Sequence, residues 1–257
     1  MLSIYETGAL AFNIDFSSYP EENTMADNNS VKELQQKVED LTRRMDVIED
    51  IHAIRCLHFQ YGYYIDMCLY DETVDLFARD GAVRFLNGIY RGKEGVRRLY
   101  CDWFRADFTK GHNGPVFGFL LDHLQMQDIV SVAPDRNYAR GRFRSLNMIG
   151  YHDDKPEPVE HMPQQFWSGG IYENEYIRED GVWKILYLDY VGRWQASYEE
   201  GWAHGSAHLP AFEQTWPDNP IGPDELTEHM PYSWPETSVV PFHYPHPVTG
   251  RKWEPQD

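Results

Sequence analysis

Turn signals in the second half of this 257-residue chain constrain its fold most strongly. The PDRN sequence at residues 134–137 separates two strand-like apolar segments, 117–132 and 138–151, which predicts a long hairpin. The EDG sequence at residues 179–181 separates two further strand-like segments, and the second of these ends near Arg193. Strands joined by such short turns pair antiparallel. This half of the chain therefore predicts an antiparallel sheet.

A helical pattern precedes the strands. Apolar residues recur at alternating steps of three and four from Val31 to Ile48, which is the spacing of one helix face. Ser30 is the expected N-cap, and the helix is expected to run to about Asp66 with a kink or an end near Gly62. Packing on the chain's own sheet explains the apolar stripe, and a short intersubunit helix pair is the alternative.

Shorter elements lie between the helix and the sheet. The pattern predicts a second helix over residues 71–77 that ends at an Asp-Gly turn, a short strand over 82–85 and a hairpin turn at Asn87-Gly88. A further helix is expected over residues 92–104. Helices that come first and a curved antiparallel sheet that follows predict an α+β domain.

The composition changes after residue 195. Ten of the sixteen prolines lie from Pro210 onward, and proline at this density prevents regular helices and ladders. We therefore predict an irregular arm over residues 196–257 that lies on its own domain or on a neighbouring subunit. Residues 1–29 are expected to be a flexible leader, with Met25 as an alternative start, and residues 30–195 to be the folded domain.

Composition excludes several classes of function. The formal charge of -18 disfavours nucleic-acid phosphates and anionic lipid as partners, because like charges repel. Apolar runs are too short for a membrane span, and the acidic N-terminus is unlike a signal peptide. Three cysteines without metal-ligand spacing suit a reducing cytoplasm, which is the expected location. Four scattered histidines match no compact metal site, so neither a metal nor a cofactor is predicted: His152, His161, His204 and His208.

Three side chains carry the predicted chemistry. Tyr61, Asp66 and His123 supply a phenol, a carboxylate and an imidazole, which together can move protons without a metal or a cofactor. The blander interpretation makes Asp66 a surface or capping residue and His123 a core histidine.

Further residues are candidates for contact with a substrate. Tyr64 lies on the same helix face as Tyr61. The alternating Arg140, Arg142 and Arg144 share a strand face, for which solvent or a subunit contact is the favoured explanation, and Arg144 is the one that we expect to bind a phenolate. Three residues of the next strand are expected to line a pocket: Trp167, Tyr172 and Asn174.

Three segments, taken in order, resemble a known family. They are YGYYIDMCLYDETVDLFARDG from residue 61, HLQMQDIVSV followed by ARGRF from residue 123, and GIYENEYIREDGVWKI from residue 170. Their order and spacing resemble the SnoaL-like family of the nuclear-transport-factor and scytalone-dehydratase superfamily, over residues 38–194. The resemblance implies a cone-shaped α+β barrel with a pocket between the helices and the concave sheet.

The resemblance also implies roles for particular residues. Dehydratases of this superfamily have a tyrosine five residues before a catalytic aspartate, which matches Tyr61 and Asp66. Dehydrochlorinases have an aspartate–histidine pair whose histidine opens a strand, which matches Asp66 and His123, with His112 in reserve. By the same analogy we expect a homo-oligomer, with a trimer favoured over a dimer.

The chain is therefore predicted to be a cofactor-independent lyase that acts on a bulky hydroxylated aromatic compound. It is similar to the lignin-dimer formaldehyde lyases of the family. Loss of formaldehyde from a diarylpropane diol is therefore the first predicted reaction, and dehydration is the second. The alternatives are an isomerase or cyclase of polyketide or terpenoid type, a non-catalytic protein that binds an aromatic ligand, and an assembly protein.

Overall fold

The computed structural model describes five stretches of the chain: residues 24–155, 162–204, 210–228, 234–236 and 238–255. The chain divides into two compact units, residues 1–46 and 47–257, and helix α1 (Thr24–Asp66) crosses the boundary between them. No helix in the described stretches is long and apolar enough to span a membrane. Most of the predicted leader lies outside the described residues.

Helix α1 begins earlier in the sequence than predicted. It already includes Thr24, so Ser30 lies within the helix and the predicted N-cap is wrong. The residues of the predicted apolar stripe are mostly exposed. Those in the first unit are all at least 50% exposed: Val31, Leu34, Val38, Leu41 and Met45.

The second unit combines short helices with one seven-stranded sheet. Its helical segments after α1 are α2 (Tyr70–Asp75), α3 (Gly92–Arg97), a π-helical stretch (Arg98–Phe104), α4 (Arg105–Thr109) and a 3-10 turn (Trp202–His204). The strands are β1 (Phe77–Phe85), β2 (Gly88–Arg91), β3 (Phe119–Val132), β4 (Tyr138–Tyr151), β5 (Gln165–Glu179), β6 (Val182–Ser197) and β7 (Glu225–Leu226). Their order across the sheet is β3-β4-β5-β6-β1-β2-β7.

The sheet confirms the predicted α+β class. Both long hairpins, β3–β4 and β5–β6, form at the predicted turns, and neighbouring strands are antiparallel except that β1 runs parallel to β6. The sheet is open, since β3 and β7 are edge strands, so it is a curved sheet and not a closed barrel.

Two glycines lie where the sequence predicted that a helix would end or kink. The Asp80-Gly81 pair does not end a helix; it lies in β1, at an irregularity in the pairing with β6 between Phe77 and Ala82. Helix α1 continues through Gly62 to its end. A Cβ atom at Gly62 would lie 2.8 Å from the Gln125 side chain, so glycine allows β3 to approach the helix closely.

A buried carboxylate attaches α1 to the sheet. Asp50, 4% exposed, accepts hydrogen bonds from Arg136 Nε at 2.6 Å and from Trp183 Nε1 at 3.0 Å, and it also pairs with Arg178. Burial by itself raises the pKa of Asp50, but the hydrogen bonds and the two guanidinium charges outweigh it and hold the pKa below its usual value.

The described parts of the arm contact the sheet of the same chain. Strand β7 pairs with β2. On the face of β4 opposite the core, buried Arg142 donates to the Val240 carbonyl at 2.8 Å, and its guanidinium lies 4.3 Å from the centre of the Phe242 ring. These contacts cover part of the arginine face for which the sequence predicted solvent or a neighbouring subunit.

Candidate active site

An irregularity in β3 decides which residues face the inside of the sheet. The pairing with β4 shifts between Met126 and Ile129, and Gln127 has a φ of 51°. On one side of this bulge Val130 and Val132 pack against the core, whereas on the other side the odd-numbered residues, including His123, face inward. A bulge inserts one residue and so exchanges the two faces of a strand. Without it, His123 would point outward.

A mainly apolar cavity of about 90 Å³ lies between the helices and the inner face of the sheet. Its apolar walls are Ile65, Val83, Phe85, Phe104, Phe108, Leu121, Ile149, Met162, Phe166 and Leu188. Its polar walls are Tyr61, Tyr100, His123, Asn147, Ser168, Tyr172, Tyr190 and Gln195. An apolar pocket with a few polar groups directed into it is the usual form of a small-molecule site.

The predicted carboxylate and imidazole meet at the wall of this cavity. Asp66, the last residue of α1, uses Oδ1 to accept the backbone N–H of His123 at 2.8 Å and the ring Nδ1 at 3.0 Å. The two side chains are only 12% and 14% exposed. Donation from Nδ1 selects the tautomer in which Nε2 carries the lone pair. In the described part of the chain, Nε2 has no hydrogen-bond partner, so it is available to a ligand.

Three tyrosines line the cavity beside the imidazole. The hydroxyls of Tyr61 and Tyr100 are 3.1 Å apart, and the Tyr172 ring lies edge-on to Tyr61 at 6.1 Å between centres. Burial raises the pKa of all three phenols well above the usual value of about 10. They therefore stay protonated and act as hydrogen-bond donors.

A row of polar side chains crosses the sheet at the level of the imidazole. The strand registers place His123 opposite Asn147, Asn147 opposite Ser168, and Ser168 opposite Gln195, and all four line the cavity. The Asn147 amide nitrogen donates to Ser168 Oγ at 2.9 Å and to Tyr190 OH at 3.1 Å. Polar groups are thus concentrated in one band of an otherwise apolar wall.

A second histidine lies deeper in the core. His58 is fully buried, with Nε2 2.9 Å from Gln125 Oε1 and Nδ1 3.2 Å from Asn174 Nδ2, and its ring stacks on Phe143. Burial lowers the pKa of His58 to about 3, so the ring is neutral. Asn174 belongs to this buried network and does not line the cavity, which corrects the prediction made for it.

Three other predicted contacts also lie elsewhere. Arg144 is exposed on the outer face of β4, because strand alternation turns the neighbouring Phe143 inward. Trp167 likewise faces outward and packs against Trp194 and Trp202. Tyr64 is half-buried and outside the cavity. Of the substrate contacts predicted from the sequence, only Tyr172 lines the cavity.

The reserve histidine lies away from the site, and the described residues hold no cluster of metal ligands. His112 is exposed in the loop after α4. Among the residues that the structure describes, no three His, Cys, Asp or Glu side chains are grouped closely enough to hold a metal ion.

The sequence profile of the SnoaL-like domain matches residues 46–189, more than half of the chain. The chain belongs to the SnoaL-like family. The match includes the whole segment from the end of α1 to β5 that carries Asp66, His123 and Asn147. The proline-rich arm falls outside it. No curated protein matches the chain.

The chain is also similar to several solved structures at low sequence identity. A protein assigned as a scytalone dehydratase from Novosphingobium aromaticivorans is 19% identical, with 66% of this chain and 97% of that one covered and a TM-score of 0.45. The hexachlorocyclohexane dehydrochlorinase LinA-type3 from Novosphingobium barchaimii is 17% identical, with coverages of 66% and 99% and a TM-score of 0.47. ActVI-ORFA from Streptomyces coelicolor is 13% identical, with coverages of 55% and 96% and a TM-score of 0.42.

Sequence reasoning missed several polar residues of this SnoaL-like site. Tyr100 looked like part of an ordinary helix face, and Tyr190 like part of an ordinary strand. Alternation in β4 does place Asn147 on the same face as the buried Phe143, and that signal was present in the sequence. The pairing of Asn147 with His123 had no such signal in the sequence, because the bulge in β3 determines which residue lies opposite Asn147.

Proposed function

We propose that this SnoaL-like protein is a cofactor-independent lyase that acts on a hydroxylated aromatic substrate. The observation that carries the proposal is the contact of Asp66 with His123 at the wall of an apolar cavity that also contains buried phenols. A histidine held by a carboxylate and open at its other nitrogen is suited to general acid–base catalysis. The aromatic walls suit a flat ring.

The division of roles follows from the environments of the side chains. Asp66 holds His123 in the tautomer whose Nε2 accepts a proton, and its negative charge stabilises the imidazolium that then forms. Tyr61 and Tyr100 remain protonated, so they polarise a departing hydroxyl and do not act as bases. All four groups are side chains of the protein itself, and the reaction they support is redox-neutral.

The finer proposal is the release of formaldehyde from a diarylpropane-1,3-diol with a para-hydroxyl on one ring. Ionisation of that phenol and loss of the benzylic hydroxyl as water produce a quinone methide. His123 then takes the proton of the hydroxymethyl group, the carbon–carbon bond breaks, and its electron pair restores the aromatic ring. The products are a stilbene, water and formaldehyde, which together account for every atom of the diol.

The test is incubation of the purified protein with a 1,2-diarylpropane-1,3-diol that carries the para-hydroxyl. Equal amounts of stilbene and formaldehyde, measured by mass spectrometry and by trapping of the aldehyde, are the expected result. A product that has lost only water makes the protein a dehydratase, and a product of unchanged mass makes it an isomerase. Binding without any product contradicts the lyase proposal.

The matched control uses the same diol with the para-hydroxyl replaced by a methoxyl group. This compound cannot form the quinone methide, so it is expected to bind and to remain unchanged. Turnover of both compounds at similar rates would refute the role assigned to the phenol.

A further inference from the structure

The side-chain oxygen of Asn147 is a hydrogen-bond acceptor that the protein leaves unused. Asn147 is 3% exposed and lines the cavity, and no group in the described part of the chain binds its Oδ1 atom. Buried carbonyl oxygens are normally paired, because an unpaired one loses its hydrogen bonds to water without replacement. An unpaired acceptor in the wall of a binding cavity therefore points to a donor on the ligand.

Neighbouring side chains hold the Asn147 amide in its orientation. Its nitrogen donates to Ser168 Oγ and to Tyr190 OH, at 2.9 and 3.1 Å. Burial also raises the pKa of Tyr190, so this phenol remains neutral and keeps its place in the network. With the nitrogen occupied on that side, the oxygen is the atom left for a ligand.

The strand register places this acceptor directly beside the proton-accepting imidazole. His123 and Asn147 are opposite each other on β3 and β4. Side chains of such pairs start about 4.5–5.5 Å apart at Cβ. A ligand that reaches both acceptors must carry two hydrogen-bond donors a few atoms apart, and the two hydroxyls of the 1,3-diol meet this requirement.

We propose that Asn147 accepts a hydrogen bond from the second hydroxyl of the substrate and thereby selects 1,3-diols over their ethers. In the reaction above, the benzylic hydroxyl donates to Asn147 Oδ1 while the hydroxymethyl group lies at His123. The naming of the two hydroxyls rests on the proposed function. The hydrogen bond itself is testable by binding alone.

The experiment compares 1-phenylpropane-1,3-diol with its 1-O-methyl ether by calorimetry. Neither compound carries the ring hydroxyl that drives elimination, so both act as ligands. The wild-type protein is expected to bind the diol about tenfold more tightly, the effect of one buried hydrogen bond. Asn147→Leu is expected to remove this preference, and Asn147→Asp to keep it, because a carboxylate oxygen also accepts the hydrogen.

Three outcomes overturn the inference. They are equal affinity of the wild-type protein for diol and ether, absence of diol binding at millimolar concentration, and a preference that survives in Asn147→Leu. A preference that survives in Asn147→Leu would show that the size of the methyl group, and not a hydrogen bond, decides the preference. Circular dichroism and the melting temperature of each variant verify its folding. If the Leu variant does not fold, loss of the preference in a folded Asn147→Asp variant overturns the inference instead.

The two proposals fail in different ways. A preference for the diol that depends on Asn147, in a protein that converts no phenolic diol, leaves hydroxyl recognition standing and removes the lyase assignment. Turnover of the phenolic diol without that preference leaves the lyase assignment standing and removes the role proposed for Asn147.

Discussion

Replacing Asp66 with asparagine should reduce turnover without changing the fold. Asparagine keeps an oxygen that can accept the backbone N–H of His123, so what is lost is mainly the negative charge beside Nδ1. Two unit charges 3.0 Å apart attract by about 5.5 kcal/mol at an effective dielectric constant of roughly 20. General acid–base catalysis contributes about a hundredfold to ten-thousandfold. We therefore expect kcat to fall about a thousandfold, which corresponds to ~4 kcal/mol.

The assay is steady-state turnover of the phenolic diol, followed by release of formaldehyde. Asp66 contacts His123, which lines the cavity, but does not itself line it, so KM should change little. The matched control is Asp122→Asn, which removes an exposed carboxylate next to His123 on β3 and should leave kcat within about a factor of two. Retention of more than about a tenth of kcat in Asp66→Asn, with loss of turnover in His123→Ala, would refute the role given to the carboxylate.

Three further predictions concern stability and the construction of the site. Asp50→Ala should lower the free energy of unfolding, measured by urea titration, by about 3 kcal/mol at neutral pH, since it breaks a buried ion-pair network. The pKa of Asp50 is lowered in the folded state, so the difference from wild type should disappear as the pH falls below ~4. Deletion of Gln127 should remove the bulge, turn His123 outward and abolish turnover, and a folded variant with normal activity would contradict that geometry. Tyr61→Phe should lower kcat about tenfold to a hundredfold and leave the melting temperature within a few degrees, as measured by calorimetry.

Much of the fold could be predicted because its signals are local. The PDRN and EDG turns and the alternation of the strands on either side of them suffice to place both long hairpins. Errors arose where a local signal has two meanings. Asp80-Gly81 is a common turn sequence, yet here it lies within a strand at an irregularity.

Part of the candidate site could also be predicted from the sequence. Asp66 and His123 were chosen by chemical type and by family resemblance, and the structure brings them into contact. Arg144 was expected to bind a phenolate and Trp167 to line the pocket, but the alternation of their own strands turns both outward. The chemistry of a side chain does not determine its face.

The sequence by itself determined where the strands and turns lie and which residue types are available for proton transfer, because turn chemistry and period-two alternation act over a few residues. Only the tertiary structure decided that His123 faces the cavity and lies beside Asn147. That arrangement depends on one extra residue at the bulge of β3 and on the register between β3 and β4. Register is a property of two strands together, so neither strand's sequence contains it alone.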